Sequence, residues 1–150
     1  MLRIACFLLL MLLAVGYALR KGGGPERALA LILLAMLAAD QLLHLAFPVG
    51  YASLDAGHLV IDLFAAAATM LLALYAHRFW PMLAAVLQCL PLLGHVSRAI
   101  DMSMQPAAYL TMQVAASWLL PPLLAIATWR HQKRRQAGAN EPGWIGSLRA

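Results

Sequence analysis

The chain has 150 residues, 63% of them hydrophobic and only 11% charged, with a formal net charge of +5. A soluble domain carries roughly 45–50% apolar and about 25% charged residues, and a disordered chain is poor in apolar residues and rich in charge. This composition excludes both a soluble monomer and a disordered chain.

Five apolar runs follow one another: Leu2–Leu19, Ala28–Phe47, Asp55–Ala76, Pro81–Ile100 and Ala107–Trp129. Each is near the ~20 residues a helix needs to cross a ~30 Å hydrocarbon core. None has the alternation of a membrane barrel strand. Backbone groups in lipid must be satisfied internally, so the runs predict helices. The expected fold is all-α, a polytopic transmembrane bundle of five helices over residues 1–130. A basic tail, 131–150, is expected to be disordered.

The connections are short. Arg20–Arg27 (RKGGGPER) is a Gly-rich basic turn in which Pro25 and Glu26 suit a helix start. Pro48–Leu54 has no basic residue, His77–Trp80 is a tight turn before Pro81, and Asp101–Pro106 joins the last two runs. Pro91 and the pair Pro121–Pro122 predict kinks near mid-membrane.

Basic residues sort by side. With the N-terminus outside, Arg20, Lys21, Arg27, Arg78, Arg130, Lys133, Arg134, Arg135 and Arg149 fall inside, and only Arg3 and Arg98 fall outside. That follows the positive-inside rule, with Trp80 and Trp129 at the inner interface. A cleaved signal peptide ending at Gly16-Tyr17-Ala18 is the weaker alternative, because the flank after the first run is the more basic one. The excess of Arg over Lys and the dominance of Ala and Leu fit a GC-rich bacterial genome, hence a multi-pass protein of the inner membrane. The basic residues form no stripe interleaved with aromatics, so nucleic acid is not an expected partner. Cys6 and Cys89 lie in separate apolar runs without a CxxC, which argues against a disulfide framework.

The polar residues that interrupt the runs are the informative feature. The second run carries Asp40, Gln41 and His44, the third Asp55, His58 and Asp62, and the fourth Gln88, His95 and Arg98, with Asp101 just beyond. Spacings of three and four put Asp40 with His44, His58 with Asp62, and His95 with Arg98 on common helix faces. At ~1.5 Å rise per residue, His44 and His58 fall within about 5 Å of the outer ends of their helices, with Asp40 and Asp62 at roughly 10 Å. Helices joined by a short loop are antiparallel neighbours, so the two Asp/His pairs should face each other, with His95 at a similar level.

An ionisable group in lipid costs about 2.5–3.5 kcal/mol on insertion scales, so such a cluster has a reason to be there. The bland reading is packing, with Asp40 or Asp62 pairing Arg98 and the histidines bonding between helices. The second reading is a metal site, or a bis-His haem site, built on His44, His58 and His95. The third is a water-filled site for hydrolysis or for proton-coupled transport. The lead expectation is a non-enzymatic accessory or interaction protein whose Asp/His/Arg cluster fixes packing. Its partners would be the lipid bilayer and either another membrane protein or a second copy of the chain.

The stretch Arg78-Phe79-Trp80-Pro81, Gln88, His95-x2-Arg98, Asp101, Ala108-Tyr109, Trp118, Pro121 and Thr128-Trp129-Arg130 resembles a group of small multi-span membrane proteins from proteobacteria whose role is uncharacterised. The resemblance covers about the C-terminal half. It implies an integral membrane protein and no particular activity.

Overall fold

A computed structural model describes residues 2–46, 56–101, 103, 105–138 and 143–144. It contains five α-helices: α1 (Leu2–Lys21), α2 (Gly24–Ala46), α3 (Ala56–Tyr75), α4 (Trp80–Ile100) and α5 (Pro106–Gln136). All five are long and apolar enough to cross a membrane.

Local chemistry sets the helix ends. At the start of α2 the Glu26 carboxylate reaches back and accepts the Gly23 N–H at 3.1 Å, satisfying a donor that a helix start leaves without a partner. Proline stands in the first turn of α4 and of α5, where its missing N–H costs nothing. Hydroxyls inside the helices are satisfied locally: Thr69 donates to the Ala65 carbonyl, Thr111 to Ala107 and Thr128 to Leu124, each at 2.8 Å. A helix that crosses a membrane must satisfy such groups internally.

α5 differs from the sequence expectation. It does not stop at Trp129 but continues through Gln136. Residues 130–136 (RHQKRRQ) are good helix formers, and Lys133, Arg134 and Arg135 in the last turn complement the helix dipole. Beyond it, Gly143 and Trp144 return to the bundle: the His77 N–H donates to the Gly143 carbonyl at 3.0 Å, and Ala76 pairs with Trp144. The tail is therefore helical at its start and anchored at Trp144, and the remaining tail residues lie outside the described set.

Each helix packs on its neighbour in sequence, and α1 closes the ring against α5, with α2 also touching α5. Close approach relies on small residues. Ala18, Ala30, Ala65, Ala84 and Ala116 are wholly buried, and a Cβ on Gly94 would stand 3.3 Å from Met112 Cβ. Small residues let backbones approach where burial of apolar surface gives no driving force. Outward-facing Leu2, Leu13, Leu31, Leu63, Leu74, Val86 and Ile126 are exposed on the ring exterior, the pattern expected of a lipid-facing surface.

The interior is unevenly filled. Met11, Val15, Ala18, Leu29, Ala30, Leu33, Leu72, Ala76, Ala84, Leu120 and Leu124 form one core cluster, which lies toward the end that gathers Arg20, Lys21, Arg27 and Arg78. Toward the other end the helices border an open cavity.

Candidate functional site

The cavity has a volume of about 760 Å³ and is lined by α1, α2, α3 and α5. Its walls are largely hydrocarbon, with Phe7, Met11, Leu33, Met36, Leu37, Ile61, Val114 and Leu120 among them. Trp118 also lines it and packs on Phe7, ring centroids 5.4 Å apart. The polar lining is Arg3, Asp40, His44, His58, Asp62, Gln113 and Ser117. Gln88, fully buried on α4, donates from its amide to the Met36 sulfur at 2.9 Å, tying α4 to the cavity wall across the interior.

Two polar groups form at the cavity end of the helices. The first joins α2 to α3. The Asp40 carboxylate accepts from His58 Nε2 at 3.1 Å and from the Gln41 amide at 3.2 Å. His44, one turn on, donates from Nδ1 to the Asp40 backbone carbonyl at 2.7 Å, and the same nitrogen lies 3.6 Å from the Asp40 carboxylate. The His44 and His58 rings meet edge to face, 5.3 Å apart.

The second group joins α3, α4 and α5 around His95, whose side chain is only 2% exposed. His95 Nε2 lies 3.0 Å from the Asp62 carboxylate and 3.0 Å from the Gln113 amide, and Nδ1 lies 2.8 Å from the Tyr109 hydroxyl. With the ring hydrogen on Nε2, the ring donates to the Asp62 carboxylate and Nδ1 accepts from the Tyr109 hydroxyl; with it on Nδ1, the ring donates to the Tyr109 oxygen and Nε2 accepts from the Gln113 amide. The Arg98 guanidinium lies over the Tyr109 ring, 5.9 Å from its centroid.

The structure therefore divides the expected histidine triad. His44 and His58 converge with Asp40, whereas His95 belongs to Asp62 and Tyr109. There it is held by Asp62, Gln113 and Tyr109, apart from the Asp40 group. The reason is helix order in the ring: α3 separates α2 from α4, so His58 faces back to α2 while Asp62, one turn along α3, faces α4. Asp101 lies outside both groups. It is exposed in the α4–α5 turn, where its carboxylate accepts the Ser103 N–H at 2.8 Å and the Ser103 hydroxyl. Those bonds hold its carboxyl below the ordinary carboxylate value. Asp55 falls outside the described residues.

Sequence reasoning missed Tyr109, Gln113 and Arg3 as members of this region. Tyr109 and Gln113 stand four apart on α5, the spacing already used for the Asp/His pairs. It also missed a polar group at the opposite end. Glu26 is fully buried there, and a Cβ on Gly23 would meet both its carboxylate and the His131 ring. Tyr17 donates to Gln132 nearby at 2.9 Å.

No protein-family model matches this chain, and neither a curated protein nor a solved structure is significantly similar to it.

Proposed function

We propose that this chain is a non-enzymatic integral membrane protein that binds an amphipathic molecule in the cavity, with the His95-centred group holding the helices around it. The observation that carries this reading is a space of about 760 Å³ with hydrocarbon walls and its polar groups gathered toward one end. Ligand pockets run from roughly 300 to 1,000 Å³ and are mostly apolar with a few placed polar groups. An apolar tail fits the walls, and a head group meets Arg3, Gln113 and the Asp/His residues. The packing role of the His95 group is supported by its burial and by its contacts with three helices.

The orientation proposed is N-terminus outside and C-terminus inside, in a bacterial inner membrane, on the strength of the sorted basic residues. The cavity then opens toward the outer leaflet. A docked membrane partner or a second copy of the chain fits the small loops, which leave the lipid-facing helices as the main surface.

The test of ligand binding is mass spectrometry of amphiphiles co-purifying with the full chain, for the native protein and for Ser117→Trp, which fills the cavity. The expected result is one amphiphile per chain in the native protein and its loss in the variant, with helicity unchanged by circular dichroism. The same lipid complement in both proteins refutes the reading. For orientation, Ser103→Cys in a background lacking Cys6 and Cys89 should react with an impermeant thiol reagent from the outer side only.

A further inference from the structure

The Asp40 group holds more than packing requires. One cross-helix bond, His58 to Asp40, already joins α2 to α3. His44 adds a second imidazole that is 34% exposed and, among the described residues, hydrogen-bonds its own helix backbone. An extra one-third-exposed imidazole beside a carboxylate contributes little to packing, but it completes a set of metal donors.

The geometry agrees. One ring nitrogen of His44, one of His58 and one carboxylate oxygen of Asp40 lie within 4.8 Å of one another. Asp40 Oδ1 is 3.1 Å from His58 Nε2 and 3.6 Å from His44 Nδ1. Around a tetrahedral ion with bonds of about 2.0–2.1 Å, neighbouring ligand atoms stand about 3.4 Å apart. Those two distances lie on either side of that value, and the two imidazoles must draw together from within 4.8 Å of each other to close on an ion.

We propose that Asp40, His44 and His58 form a binding site for a divalent transition-metal ion of the zinc class. Two imidazoles and one carboxylate suit a borderline ion such as Zn²⁺ or Co²⁺, whereas Ca²⁺ and Mg²⁺ take oxygen ligands. Binding through His44 Nδ1 and His58 Nε2 requires each ring hydrogen to sit on the other nitrogen. The bonds now made to the Asp40 carbonyl and carboxylate are exchanged for bonds to the ion. One carboxylate leaves the bound site at a formal +1. Three protein donors leave a coordination position directed at the cavity, which they line. Asp40, His44 and His58 also line the cavity proposed to hold an amphiphile, and Co²⁺ binding is read by its own absorption whether or not that cavity is filled.

The test is titration of the full-length protein in detergent micelles with Co²⁺ alone, followed by its visible absorption, and then with Zn²⁺. One equivalent of Co²⁺ should give the intense bands of a tetrahedral site, and Zn²⁺ should abolish them. Asp40→Asn, His58→Ala and His44→Ala should each weaken binding at least about tenfold, with helicity preserved by circular dichroism. His44→Ala is decisive, because the exposed His44 ring is dispensable for the fold. His77→Ala, in the turn at the far end of α3, should bind as the native protein does. Absence of a stoichiometric Co²⁺ band, unchanged binding in His44→Ala, or equal loss in His77→Ala overturns the proposal.

Discussion

His95→Ala separates a histidine that holds the bundle from one that does not. The native ring is 2% exposed and bridges the Asp62 carboxylate at 3.0 Å on α3 and the Tyr109 hydroxyl at 2.8 Å on α5. A cross-helix hydrogen bond in a membrane protein contributes about 0.6 kcal/mol on average and about 1.7 at most. Two such bonds amount to roughly 1.2–3.4 kcal/mol. The space left by the ring adds to this, because its lining loses packing partners. The expected loss is about 2–4 kcal/mol. Tyr109→Phe removes one bond with no loss of ring volume and should cost about 0.6–1.7 kcal/mol. His44→Ala removes a one-third-exposed ring bonded to its own helix and should stay within about 0.5 kcal/mol. The assay is reversible unfolding in mixed micelles titrated with sodium dodecyl sulfate, followed by circular dichroism. The double variant His95→Ala/Tyr109→Phe should cost less than the sum of the singles, since their shared bond is lost only once. If His44→Ala destabilises as much as His95→Ala, the division of the histidines into a packing group and a ligand group is wrong.

Other expectations follow from the same geometry. Gly57→Ala puts a Cβ 2.6 Å from Leu43 Cδ1, so Leu43 must move or α2 and α3 must separate. Co²⁺ affinity should fall, while Gly16→Ala, with nothing within 4 Å of the new Cβ, should leave it unchanged and stabilise α1 by up to about 1 kcal/mol. Glu26→Ala frees the Gly23 N–H from its carboxylate acceptor and should cost about 1 kcal/mol in the same unfolding assay. At Asp101 the carboxyl is held low by the Ser103 hydroxyl and N–H. A depressed carboxyl contributes order above its unfolded value of about 3.9 and loses that contribution as pH falls through the folded value. Amide exchange at Ser103 should therefore quicken as pH drops below about 4 relative to the intrinsic rate, and Asp101→Ala should remove that dependence.

Much of the architecture is legible in the sequence because membrane insertion is a matter of local composition. Twenty apolar residues in a row must become a helix, whatever surrounds them, and Arg20, Lys21, Arg27 and Arg78 mark one set of helix ends without reference to packing. The i, i+4 spacing likewise puts Asp40 with His44 and His58 with Asp62 on common faces of single helices. The continuation of α5 to Gln136 and the return of Trp144 were not legible, since charge at a membrane edge reads as topology alone and the Trp144 contact is between residues distant in sequence. The grouping of the polar residues was also a tertiary matter. Periodicity says which residues share a face, and it is silent on which neighbour that face meets. Only the closed ring, with α3 between α2 and α4, turns His58 toward Asp40 and Asp62 toward His95. It also leaves space rather than side chains between α1, α2, α3 and α5. The sequence by itself determined five helices long and apolar enough to span a membrane, with polar residues concentrated near one end of them. The tertiary structure decided which of those residues brace the bundle and which stand open to a cavity, because that depends on the order of helices around the ring.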